Sequence, residues 1–171
     1  MHTATLSPQS GSDTSEEVRY IALVEIGIEK FVPMTGVYGE SPSIVATISP
    51  PKDISPPPQP STPVFSGNGE FIKVTVPKDY TGAVQIVYQL QDPRYVLLGA
   101  AFKSPTGGVG ETEFREILLE RDPASSQMTV TDACLPSWDK VNFSYVILVQ
   151  EASTGNIGLI DPGIETDTNE N

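Results

Sequence analysis

Residues 83–102 read AVQIVYQLQDPRYVLLGAAF, and the reading of this stretch decides the fold. In its first half Val84, Ile86, Tyr88 and Leu90 fall on one face of a period-2 chain, with Gln85 and Gln89 on the other. That is the pattern of a half-buried β-strand. Asp92-Pro93 then supplies turn chemistry, and YVLLGAAF (95–102) opens a second run rich in apolar and aromatic residues.

Similar runs extend in both directions: YIALVEIGI (20–28), EFIKVTV (70–76), EFREILLE (113–120), QMTVTD (127–132), VNFSYVILVQ (141–150) and NIGLI (156–160). Clusters of Pro, Gly and Asp separate them. The run at 113–120 also contains helix formers, Glu, Arg and Leu. About eight strands with no alternating helical segments predict an all-β fold, an immunoglobulin-like antiparallel β-sandwich, with a small barrel as the alternative.

A chain of 171 residues with 38% hydrophobic content suffices for one ordinary core. Residues 1–18 are dominated by Ser, Thr and Gly and are expected to be a flexible tail. The domain is placed at 19–165, with an acidic tail at 166–171. Within it, segment 42–63 holds 8 of the 16 prolines and is expected to be a stiff surface connection of polyproline character, the alternative being a docking site for a proline-binding module.

Ten basic residues against 22 acidic ones give a net charge of −12, which disfavours phosphate backbones and anionic lipid surfaces. Neither nucleic acid nor membrane is expected as a partner, and no apolar run approaches spanning length. Cys134 is the sole cysteine, so no intrachain disulfide forms, and a reducing, cytoplasmic setting is expected.

The sole histidine, His2, lies in the expected tail, so Ser-His-Asp and Cys-His mechanisms lack their base. There is no Cys/His cluster for zinc, no phosphate-binding loop, no dinucleotide fingerprint and no EF-hand spacing; neither metal nor cofactor is expected. SPTGGVG (104–110) reads as a hairpin loop, and Cys134 as a small packed residue.

Carboxylate chemistry remains. In an Asp-Pro bond the side-chain carboxylate is an intramolecular nucleophile beside its own carbonyl carbon, and ideal intramolecular geometry lowers a barrier by about 7–11 kcal/mol. Proline's tertiary amide nitrogen leaves more readily when an acid protonates it. Three such pairs occur: Asp92-Pro93, Asp122-Pro123 and Asp161-Pro162. The first two sit where turns are needed. The third follows an apolar run and lies in a terminus with no Lys or Arg after Lys140 but with Glu151, Asp161, Glu165, Asp167 and Glu170. Crowding of like charges keeps some carboxyls protonated, which would supply donor and attacker together. The simpler reading is a solvated acidic end.

The order VYQLQDPRYVLLGAAFKSP (87–105), FSYVILVQ (143–150), IGLIDPGIE (157–165) resembles the DP-EP family of small bacterial proteins, the Asp-Pro endopeptidases. The resemblance covers about residues 71–165. It implies an immunoglobulin-like sandwich with aspartic-type peptidase activity toward Asp-Pro bonds, including cleavage of its own Asp161-Pro162, so that the partner is its own C-terminal peptide or a protein substrate. Such a mechanism calls for a lysine, a tyrosine and a further acid near the bond, and Lys140, Tyr88 and Asp92 flank the strands expected beside the last one. Gly163, the acidic extension and the proline-rich insert depart from the family pattern. The competing expectation is a non-catalytic sandwich that binds a protein partner or forms a homo-oligomer through its edge strands.

Overall fold

Alternation in the strand Val84–Leu90 sends Val84, Ile86, Tyr88 and Leu90 fully into the interior and leaves Gln85, Val87 and Gln89 half-buried. The computed structural model describes residues 20–34, 44–55, 63–68, 70–78, 80–103, 113–122, 125–135, 141–161 and 163–169. The amino-terminal stretch 1–18, the prolines at 56–58, the loop 104–110, Lys140 and Pro162 lie outside the described residues. Among the described residues there are twelve strands and no helix.

In chain order the strands are β1 (Tyr20–Lys30), β2 (Val45–Ile48), β3 (Lys52–Asp53), β4 (Val64–Gly67), β5 (Phe71–Pro77), β6 (Val84–Leu90), β7 (Tyr95–Lys103), β8 (Phe114–Arg121), β9 (Ser126–Asp132), β10 (Val141–Glu151), β11 (Ile157–Ile160) and β12 (Gly163–Asn169). One sheet runs β2-β1-β6-β9-β8, with β3 also paired to β1. In the other, β10 pairs with β7 on one edge and with β11 and β12 on the other, and β5 and β4 follow beyond β12. Neither sheet closes on itself. The two share a single core in which Val24, Ile86 and Met128 of the first meet Ile72, Phe143 and Ile147 of the second.

The expectation of a purely antiparallel arrangement is corrected in two places. Strand β1 runs parallel to β6, from Tyr20↔Val84 to Ile26↔Leu90, and β12 runs parallel to β5, from Gly163↔Phe71 to Asn169↔Pro77. Parallel neighbours need a long crossover, and the segments between these strands supply one. The remaining pairings are antiparallel.

Two segment boundaries also shift. The proline-rich segment 42–63 contains β2 and β3, which pair with β1, because its prolines flank Val45–Ile48 without interrupting it. The acidic end is a strand as far as Asn169, held between the ladders of β10 and β5, so backbone pairing orders a sequence with little apolar surface.

Candidate functional site

Asp161-Pro162 does not end the last strand; it interrupts one. Ile160 pairs with Ile147 and Gly163 with Ser144 in a single unbroken register along β10. Proline has no N–H to give the ladder, so one long strand becomes β11 and β12. Ile160 points into the core, and Asp161, next in the alternation, is exposed.

Beside Asp161 lies a cleft of about 560 Å³. Its buried wall is Ile44, Ile48 and Ile160, and its exposed polar lining is Asn68, Glu70 and Asp161. The wall exists because two residues are hydrogen-bonded to β11: Ile44, just ahead of β2, donates its N–H to the Leu159 carbonyl at 3.1 Å, and Met34 donates to the Ile157 carbonyl at 2.7 Å. Gly158 permits that approach, since a Cβ there would sit 2.7 Å from the Ile44 side chain. Across the cleft a tight turn positions Glu70. The Asn68 side chain accepts the Phe71 N–H at 3.0 Å, while the Asn68 N–H donates to the Phe71 carbonyl at 3.2 Å.

The other described candidates lie elsewhere, and neither lines this cleft. Tyr88 is 1% exposed; its hydroxyl pairs with that of Tyr145 on β10, their rings edge-to-face with centroids 6.0 Å apart. Burial, and then the neighbouring Tyr145, hold the Tyr88 phenol well above its ordinary range. Asp92 sits in the β6–β7 turn. Its carboxylate accepts the Arg94 N–H at 3.0 Å and grips the Arg94 guanidinium at 2.6 Å; these hydrogen bonds hold it below the usual carboxylate range. Asp122 closes the β8–β9 turn in a related way, accepting the N–H of Ser125 at 2.6 Å and its hydroxyl at 2.9 Å. Cys134, at φ 51°, is buried, and burial pushes its thiol up, away from nucleophilic reactivity.

Strand β8 is expected from the sequence as a strand, but not as an edge with exposed apolar residues. Among the described strands it pairs with β9 alone. Ile117 and Leu119 stand opposite Val130 and Met128, both fully buried, and so lie on the core-facing side of the sheet. Yet they are 36% and 50% exposed, and Leu118, on the outer side, is 46% exposed. The edge strand therefore overhangs the core and leaves apolar side chains uncovered on both faces. The signal was present in EILLE: three consecutive apolar residues cannot share one face of a strand.

Among the described residues no group of three or more His, Cys, Asp or Glu side chains is arranged to hold a metal ion, and no helix is long and apolar enough to cross a membrane. Comparison with protein-family models, with curated proteins and with solved structures finds no match.

Proposed function

We propose that this protein is a non-catalytic, immunoglobulin-like β-sandwich that binds a protein partner by accepting an extended strand along β8. Strand order supports the immunoglobulin-like reading: β6-β9-β8 corresponds to B-E-D of that fold, and β7-β10-β11/β12 to C-F-G. The observation that carries the function is the exposed run Ile117–Leu118–Leu119 on a strand that, among the described strands, is paired on one side only. An edge strand offers a row of main-chain donors and acceptors, and the adjacent apolar side chains give an incoming strand something to bury. Other edges expose large apolar side chains singly and not as a run: Val45 on β2 and Val64 on β4, while β7 presents Ala100 and Ala101.

Selection of binders from a displayed library of extended peptides, followed by amide exchange, tests this reading. Bound peptides are expected to protect amides of residues 116–121 and to lose affinity when Leu118 is replaced by Asp. Binders that protect other strands and leave β8 unchanged would refute it.

A second reading, self-processing at Asp161-Pro162 as the resemblance to the Asp-Pro endopeptidases implies, is favoured by one arrangement: Asp161 and Glu70 line the same cleft beside the interrupted strand. The Asp161 carboxylate would attack its own carbonyl carbon, and the bond from that carbon to the proline nitrogen would break as the Glu70 carboxyl delivers a proton to the nitrogen. Water would then open the resulting cyclic anhydride to leave Asp161 as a free C-terminus. Intact mass of the native protein followed over time decides it. Cleavage in the native protein that stops in Asp161→Asn and slows in Glu70→Gln supports processing; an unchanged mass, or equal cleavage after denaturation, removes it.

A further inference from the structure

We infer that the strand received by β8 carries three consecutive apolar residues with a basic residue on each side of them. This deepens the strand-addition reading and rests on it. In the register set by β9, Ile117 and Leu119 face the core side, while Glu116, Leu118 and Glu120 face outward, and all five are exposed. A strand laid against β8 sets one side chain opposite each of these, on the same face. Apolar residues opposite Ile117, Leu118 and Leu119 would cover the overhang on both sides of the sheet. A cation opposite each of Glu116 and Glu120 would neutralise the flanking carboxylates, whereas an anion there would meet like charge at close range. The required order, basic, three apolar, basic, reads the same in both directions, so it holds for either strand polarity.

A second copy of this chain does not meet the requirement. Strand β8 itself reads acid, three apolar, acid from Glu116 to Glu120. A two-fold pairing centred on Leu118 matches apolar with apolar but sets Glu116 opposite Glu120 twice. Centring it on Ile117 or Leu119 instead sets Leu118 opposite a glutamate. No other segment of the chain has two basic residues bracketing three apolar ones, and the net charge of −12 opposes self-association further. The occupant is therefore a segment of a different, locally basic protein.

The test uses two synthetic peptides that share a Val-Ile-Val centre and differ only in their flanks, Lys on both sides or Glu on both sides, titrated against the full chain at low ionic strength with amide exchange on the complexes. The Lys-flanked peptide is expected to bind roughly tenfold or more tightly, as two cross-strand pairs change from repulsive to attractive. The double variant Glu116→Lys/Glu120→Lys is expected to invert that order, and added salt to shrink it in both proteins. Equal affinities with β8 protected, or a preference that survives the charge reversal, would overturn the inference and leave strand addition standing. If neither peptide protects residues 116–121, strand addition itself fails and the inference falls with it.

Discussion

The hydroxyls of Tyr88 and Tyr145, one from each sheet, meet in the middle of the core and are hydrogen-bonded to each other. Each phenol satisfies the other where no water reaches, so the pair links the sheets at a point where an apolar contact alone would leave two polar groups stranded. Replacing one partner leaves the other unsatisfied, whereas replacing both removes the need. Tyr88→Phe and Tyr145→Phe are each expected to destabilise by about 1–3 kcal/mol, and the double variant to be close to wild type. Denaturant unfolding of the four proteins measures the cycle; strictly additive losses would show that the pair is not coupled.

The same pair sets an alkaline limit. Burial raises both phenols above the ordinary value of 10.0, so folding favours their neutral forms. A raised folded-state value means that stability is complete below pH 10.0 and falls as the pH climbs beyond it, where the unfolded chain ionises and the folded one resists. Absorbance of tyrosinate should therefore rise in two stages, with Tyr88 and Tyr145 appearing only as the protein unfolds. The double phenylalanine variant is expected to lose the second stage and to persist to higher pH.

At the acid end the relevant group is Asp92. Its hydrogen bonds to Arg94 lower its value from the ordinary 3.8, so the stability they contribute is present above 3.8 and is lost as the pH falls through the depressed folded-state value. Asp92→Asn is expected to be less stable than wild type at neutral pH and to converge with it in strong acid, read from melting temperature against pH. A difference that stays constant down the pH scale would show that the carboxylate charge is not what matters.

Much of this architecture was legible because alternation reports directly on burial. Val84, Ile86, Tyr88 and Leu90 were recognisable as an inward face, and the eight segments read as strands are β1 and β5 to β11. Strand direction was not legible: a parallel and an antiparallel strand bury the same alternate residues, so nothing within Tyr20–Lys30 distinguishes its parallel pairing with β6. Strand β12 was hidden for a different reason. Composition predicts strands from apolar runs, and GIETDTN has a single large apolar residue, yet two neighbouring ladders and a 2.6 Å pair between Asp167 and Lys73 fix it. At the candidate site, Asp161 could be found from its Asp-Pro bond, but Glu70 and Ile44 reach the cleft only through long-range pairing, which local sequence does not encode.

Gly158 is expected to be intolerant of a side chain. A Cβ there would lie 2.7 Å from two carbons of Ile44 and 3.1 Å from the Val32 carbonyl oxygen, and Ile44 is buried, with little room to yield. Overpacking of this kind costs about 1–3 kcal/mol. Gly158→Ala should lower the melting temperature, and Ile44→Ala in that background should recover part of the loss. A Gly158→Ala protein as stable as wild type would mean that Ile44 can move away from β11 freely.

Breaking the chain at Asp161-Pro162 is expected to leave the two pieces together. After the break, β12 would still pair with β5 over seven residues and with β10 over four, and Lys73 would still hold Asp167. Among the described strands, β5 and β4 join the rest of their sheet only through β12, so its departure would strip a whole edge from the sheet. A chain ending at Asp161 should consequently be poorly folded alone and should recover its unfolding transition when a peptide of residues 162–171 is added. Self-processed protein, if cleavage occurs, should show the two fragments in a denaturing mass spectrum and their sum in a native one. Should the truncated chain fold fully without the peptide, or the native spectrum contain only residues 1–161, β12 is an appendage of the sheet and its ladders contribute little to holding it together.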